Sequence, residues 1–341
     1  MGYETQFLEN FDSRKYPEHW EEPAYPDHDW PHLVRAGYAD YRLEKQPTQN
    51  LYWQSRTASR ISAIPHGTQL DFGKEITGVL QIKAKGRDGQ RVRILYGEEL
   101  DDTGAVRFEL RCNCRYEAIW TLQNGVSTFH GYDYKAFRYV QLEFEPDVTV
   151  IECHARVRHY PMDDNACCLK CKTDQLDEIF EICKNAVRCG TQEGFLDCPS
   201  REKGQYLGDS SLTARSHVRL TGKTDMLRKC IGDFIASAGI SKGLMAVAPG
   251  SFMQEIADFS LLFPMLPLTD YAFTGDKTFL RECYPTVRSM TEAFEKYARR
   301  DGLLENVSEQ WNLVDWPENL RDGYDFPLTR PIVGQGGVTM L

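Results

Sequence analysis

The feature that most constrains the fold is a change of hydrophobic period near residue 163. Before it, apolar and polar residues alternate in short runs that are separated by turn sequences such as RDG at 87–89. A period of two is typical of strands with one buried face. The runs lie at 69–72, 78–85, 91–98, 116–122, 136–144 and 148–158. They predict an antiparallel jelly-roll β-sandwich, after an irregular lead-in with edge structure over residues 1 to about 60.

After Met162 the apolar residues recur with the helical period. One stripe predicts a helix over about 174–190, with Thr173 and Asp174 as candidate caps. Similar stripes lie at 212–220, 226–235 and 279–294. Helices in series, joined by long and chemically rich loops, are typical of an α/α toroid whose loops line a pocket.

Composition excludes several classes of partner. The net charge of -10 and the pI near 5.4 argue against nucleic acid, because phosphate binding needs clustered Lys and Arg. No apolar run is long enough to span a membrane, so we expect no membrane association. The 11 cysteines form no disulfide or zinc spacing, which predicts a reducing, cytoplasmic location without a metal or other cofactor.

The segment DCPSREKGQYLGD, residues 197–209, carries the richest chemistry. Glycosidic bond hydrolysis needs one protonated carboxyl and one ionised carboxylate, and neighbouring negative charges raise a carboxyl pKa. The same residues are also typical of a solvated helix entry, with Arg201 paired to Asp197 and Asp209 near the positive end of a helix. Spacing alone leaves both interpretations open.

This string resembles the signature of the family 78 glycoside hydrolases, the α-L-rhamnosidases. Further segments that resemble the family are 70–74 (LDFGK) with Gly78, 96–100 (YGEEL), 137–140 (FRYV), 256–260 (IADFS) and 311–316 (WNLVDW). The resemblance covers nearly the whole chain. It implies a β-sandwich domain with its lead-in over 1–162 and an incomplete (α/α)6-barrel catalytic domain over 163–341.

The resemblance also implies cleavage of terminal α-L-rhamnosyl residues with inversion, with Glu202 as the general acid. The implied substrate is a rhamnose-containing oligosaccharide or glycoside. Candidate substrate-binding residues are Asp197, Arg201, Tyr206, Asp209, Asp258, Trp311, Asp315 and Trp316. The aromatic members suit the apolar face of a 6-deoxy sugar, although they are equally typical of a core. The two later aspartates are equally compatible with plain loop structure, and we interpret His217 as structural.

Two features depart from a simple assignment. Glu202 lies between Arg201 and Lys203, which favour its ionised form unless they point away, so Asp209 is the fallback proton donor. The general base is expected in sequence downstream of this chain, so we expect the chain alone to be almost inactive. Two other functions stay open, namely an exo-glycosidase for another sugar on the same barrel and a non-catalytic carbohydrate-binding protein.

Overall fold

The computed structural model describes residues 8–17, 19–34, 37, 43–110, 114–302 and 304. Within them, a curled β-sheet comes first and a helical region follows. The sheet strands are β1 (Glu9–Asp12), β2 (Tyr52–Arg56), β3 (Arg60–Ile64), β4 (Gly67–Gly86), β5 (Arg91–Gly97), β6 (Glu117–Thr121), β7 (Gly125–His130), β8 (Lys135–Phe144) and β9 (Thr149–His159). The helices are α1 (Asp174–Gly190), α2 (Leu207–Thr221), α3 (Asp225–Ser237), α4 (Ala257–Ser260), α5 (Met265–Thr274) and α6 (Lys277–Phe294), with strands β10 (Ala246–Ala248) and β11 (Phe252–Glu255) before α4.

The long strand β4 organises the sheet. Its first half pairs with β3 and β8, and its second half pairs with β7 and β9. The pairing register shifts between Asp71 and Ile76, where Gly73 adopts a φ of 80° and donates its N–H to the Asp71 carboxylate at 2.7 Å. A glycine supplies this left-handed conformation without a steric penalty. The bend lets both halves contribute to one apolar core, from Leu70 to Val157.

The predicted runs at 69–72 and 78–85 are therefore one bent strand. The lead-in with edge structure that the sequence predicts over residues 1 to about 60 contains β1 and β2, which lie at the two ends of the strand order of the sheet. The sequence pattern missed β3 and β7. Strands β2 and β3 are mostly exposed, so they lack the buried alternate residues on which the pattern depends.

The helix predicted at 174–190 is confirmed as α1, and the other three stripes coincide with α2, α3 and α6. Helix α5 was missed. The apolar stripe of α1 is largely exposed over the described residues, with Leu176 and Ile179 about half accessible at 52% and 47%. The remaining helices share an apolar core that includes Leu207, Phe234 and Met290.

His217 of α2 is a buried residue of this core. Its ring lies 5.9 Å from the Tyr160 ring and 5.4 Å from the Phe195 ring, measured between centroids. Burial lowers the pKa of His217 to about 4, so the neutral imidazole is the folded form. This environment agrees with the interpretation of a structural histidine.

Among the described residues, no helix combines the length and the apolar character that crossing a membrane requires. The ten cysteines in the same part of the chain are all free thiols.

Candidate active site

The acidic segment forms a closed loop between α1 and α2. The Asp197 N–H donates to the Gly204 carbonyl at 2.9 Å, and the Gly204 N–H donates to the Asp197 carboxylate at 2.9 Å. A Cβ on Gly204 would lie 2.6 Å from the Tyr206 ring, so this position has room only for glycine. Lys203 adopts a φ of 55°, which is unusual for a side chain of its size. The loop backbone therefore has a specific shape that brings Glu202 close to Tyr206.

Glu202 is half-buried, with 17% of its side chain exposed. Its Oε1 lies 2.5 Å from Nη2 of Arg201. The Tyr206 hydroxyl donates a hydrogen bond to the same carboxylate, and burial together with this bond raises the pKa of Tyr206 far above its usual value. The Glu202 N–H also points to the Cys198 sulfur at 3.4 Å. The Glu202 carboxylate therefore has two polar partners in the loop, Arg201 and Tyr206.

Asp197 and Asp209 lie in the electrostatic field of Glu202. Burial raises the pKa of Asp197 to about 6, and the negative charge of Glu202 adds to this effect against hydrogen bonds from Cys198 and Gly204. Asp209, in the first turn of α2, has its pKa raised by burial and by Glu202. The cluster therefore retains a proton closer to neutral pH than isolated carboxylates do.

The two cations that flank Glu202 behave differently. Arg201 contacts the carboxylate, whereas the Lys203 ammonium is directed to the sheet. The Lys203 Nζ lies 2.9 Å from Asp133 Oδ2 and 2.6 Å from the Tyr134 carbonyl oxygen. The expected opposition to acid chemistry therefore comes from one neighbouring cation, Arg201, and not from both.

Tyr206 combines an apolar and a polar contact. Its ring packs, together with Phe259, against the small apolar cluster of Val247, Ala248 and Ile256. Its hydroxyl reaches Glu202, so the residue links the acidic loop to the segment before α4. A ring with one apolar side and one polar end is suited to a site that binds a deoxy sugar.

The structure brings together five of the predicted site residues: Asp197, Arg201, Glu202, Tyr206 and Asp209. Asp258 lies in α4, next to Phe259, but it is fully buried and presents no surface to a ligand. Trp311, Asp315 and Trp316 lie outside the described residues.

Sequence reasoning missed the residues of the sheet that hold this loop. The Tyr116 hydroxyl donates to the Ser200 carbonyl at 2.5 Å, and Glu98 hydrogen-bonds to the Ser200 side chain. Asp133 and Tyr134 hold Lys203 from a position 70 and 69 residues earlier in the chain. A local sequence pattern cannot predict contacts between residues so far apart in the chain.

Two family models match the chain. The concanavalin-like domain of bacterial α-L-rhamnosidases matches residues 63–158, and the six-hairpin glycosidase domain of bacterial α-L-rhamnosidases matches residues 164–332. The second description defines a class of glycosidases built on helical hairpins. Within that class, the chain belongs to the bacterial α-L-rhamnosidase family.

Individual relatives agree with this family. An α-L-rhamnosidase of Formosa agariphila is 20% identical over 269 residues, which are 72% of this chain and 28% of that protein. The α-L-rhamnosidase structure from Dictyoglumus thermophilum has a TM-score of 0.80 at 20% identity and covers 97% of this chain and 38% of that one. The Streptomyces avermitilis α-L-rhamnosidase complexed with L-rhamnose has a TM-score of 0.72 at 21% identity, covering 85% and 29%.

These structural likenesses, at about one fifth identity, concern the fold. The chain spans between 28% and 35% of the length of the curated relatives it matches.

Proposed function

We propose that the protein containing this chain hydrolyses terminal α-L-rhamnosides with inversion, and that Glu202 is its general acid. The observation that carries this proposal is the position of Glu202: a half-buried carboxyl between Arg201 and Tyr206, with two further carboxyls in its field. Family membership supports the choice of sugar, and one structural neighbour is described as complexed with L-rhamnose.

In this proposal Glu202 donates its proton to the bridging oxygen as the glycosidic bond breaks. In the free protein Arg201 holds this carboxyl, with its Nη2 at 2.5 Å from Oε1. The carboxyls of Asp197 and Asp209 accept hydrogen bonds from sugar hydroxyls, and Asp209 is the fallback donor. A base outside this chain activates water on the opposite face of the ring.

We propose a sugar-facing surface that is compatible with the same geometry. Tyr206 presents its ring to the apolar face of the deoxy sugar while its hydroxyl orients Glu202. We propose the same stacking role for Trp311 and Trp316 and hydroxyl binding for Asp315. We do not extend this role to Asp258, because its side chain is fully buried.

We further propose that the curled sheet is a jelly-roll sandwich domain over 1–162 and that the helices are the first part of an (α/α)6 barrel over 163–341. The change from strand β9 to helix α1, between residues 159 and 174, supports this division. The free cysteines support a reducing, cytoplasmic location.

The test uses the full-length protein with phenyl α-L-rhamnoside and a panel of other phenyl glycosides. We expect activity on the rhamnoside, with the β-anomer of rhamnose as the first product in proton NMR. Glu202→Gln should lower kcat by about 10²–10⁴-fold, because general acid catalysis contributes about that factor. A matched control is Glu193→Gln, which removes an exposed carboxylate that pairs with Arg158 near the same loop.

Two outcomes would contradict the proposal. Activity confined to another glycoside would exclude the rhamnosidase assignment. A Glu202→Gln variant within about threefold of wild type would exclude Glu202 as the acid, since the loss of a general acid costs far more.

A further inference from the structure

We propose that Asp133, in the turn between β7 and β8, is a positioning residue for Glu202, because its carboxylate holds and neutralises the ammonium of Lys203, the residue that follows the acid in the chain. This inference rests on the proposed function of Glu202 and assigns a role to the sheet in the chemistry of the helical region. The role is electrostatic and conformational, since Asp133 acts on Glu202 only through Lys203.

The geometry at Lys203 is that of an engaged cation. The Nζ lies 2.9 and 3.1 Å from the two Asp133 oxygens and 2.6 Å from the Tyr134 carbonyl. It also lies 3.9 Å from the centroid of the Tyr134 ring, a cation–π distance. Two carboxylate oxygens, one carbonyl and one ring therefore draw the ammonium toward the sheet.

The turn that carries Asp133 is itself fixed. The N–H groups of Tyr132 and Asp133 both donate to the Glu9 carboxylate of β1, at 3.0 and 2.6 Å. The Tyr134 ring also contacts Arg158, whose guanidinium carbon lies 4.3 Å from the ring centroid. Asp133 is thus a preformed acceptor and not a surface carboxylate that Lys203 meets by chance.

The same contact fixes the backbone next to the acid. Lys203 follows Glu202 directly and adopts the left-handed φ of 55°. On the other side of Glu202, the Tyr116 hydroxyl holds the Ser200 carbonyl. The sheet therefore holds the acid-bearing loop at residues 200 and 203, on both sides of Glu202.

The charges around the pair define the electrostatic role. Asp133, Lys135 and Arg158 face Lys203, and the partial burial of Lys203 lowers its pKa. Within the part of the chain that the structure describes, the charged and titratable groups that contact Glu202 or lie in its field include Arg201, Asp197, Asp209, Tyr206 and Cys198. Replacing Asp133 alone leaves the positive charge of Lys203 uncompensated next to Glu202 in the chain. Replacing Lys203 alone leaves the negative charge of Asp133 uncompensated.

The test is a charge cycle in the full-length protein, read from kcat/KM for phenyl α-L-rhamnoside against pH. A general acid must be protonated, so activity is lost above the pH at which it ionises. Asp133→Asn should shift this alkaline limb down by about half a pH unit or more, because a net cation favours the ionised acid. Lys203→Met should shift it up. The double variant should return it to the wild-type position.

Opposite shifts that cancel distinguish this role from a structural one, which would lower kcat in all variants without such a pattern. Asp147→Asn is the matched control, because it breaks the Arg87–Asp147 ion pair elsewhere on the sheet; it should leave the limb in place. KM should change little in every variant. If Asp133→Asn does not fold, the inference is tested by the other two variants. It requires that Lys203→Met shift the alkaline limb up and that the folded double variant return the limb to the wild-type position.

Single variants that leave the limb within about 0.2 pH unit of wild type, or that shift it in the same direction, would overturn the inference. If the inference fails in this way while the wild type is active and Glu202→Gln is inactive, the proposed function still holds. A wild type without rhamnosidase activity would instead overturn the proposed function, and the inference with it.

Discussion

The hydrogen bond from Tyr206 to Glu202 gives a sharp prediction for Tyr206→Phe. The variant keeps the ring that packs against Val247, Ala248 and Ile256 and removes only the hydroxyl. A hydrogen bond to a charged group contributes about 1.5–3 kcal/mol, and this bond favours the ionised carboxylate. At about 1.4 kcal/mol per pH unit, its loss should move the alkaline limb of kcat/KM up by about one to two units.

The assay is the pH dependence of kcat/KM for phenyl α-L-rhamnoside in the full-length protein, with melting temperature measured in parallel. Tyr160→Phe is a matched control, because it also removes a tyrosine hydroxyl that donates to a carboxylate, that of Asp225. It should leave the pH profile unchanged. A Tyr206→Phe profile that coincides with wild type, or that moves to lower pH, would refute the reasoning.

Two further predictions concern the loop and the core. Gly204→Ala should lower kcat by about tenfold or more and destabilise by about 1–3 kcal/mol, because its Cβ would meet the Tyr206 ring at 2.6 Å and displace the hydroxyl from Glu202. Gly232→Ala, where a Cβ meets no atom within 4 Å, is the control, and equal effects of the two changes in kinetics and thermal unfolding would contradict the argument. The folded pKa of His217 is about 4, below the value of about 6.5 for a free imidazole, so its contribution to stability is present above pH 6.5 and is lost as the pH falls toward 4. The wild type should therefore lose about 2 kcal/mol more free energy of unfolding between pH 7 and 5 than His217→Phe does. A difference in the free energy of unfolding between the two proteins that is constant with pH would contradict this assignment.

Local patterns in the sequence predict the elements whose own residues carry the signal. Helix α1 was predicted with its correct bounds because an amphipathic stripe spans it, although the side chain of Thr173, the N-cap residue, makes no capping hydrogen bond. Strand β4 was predicted as two runs because Gly73 interrupts the alternation, although hydrogen bonding continues on either side of the bend. Strands β2 and β3 escaped prediction because their stability comes from pairing with β9 and β4, which is not encoded in their own pattern.

For the candidate site, too, the sequence predicts the residues that are close together in the chain and not the contacts between distant ones. Asp197, Arg201, Glu202, Tyr206 and Asp209 are neighbours in one loop, so reading that loop was enough to group them. The contacts of Lys203 with Asp133, and of Ser200 with Tyr116, join residues 70 and 84 positions apart. Such pairs are set by how the sheet docks on the helices, and a single sequence carries no record of it. The complete burial of Asp258 was equally invisible.

The central claim, that Glu202 protonates the leaving oxygen, is tested most directly by leaving-group dependence. The measurement is kcat for wild type and Glu202→Gln on methyl α-L-rhamnoside and on 2,4-dinitrophenyl α-L-rhamnoside, in the full-length protein. Dinitrophenolate departs without a proton, so the variant should lose about 10²-fold or more on the methyl glycoside and far less on the dinitrophenyl one. Equal losses on the two substrates would contradict the assignment of Glu202 as the acid.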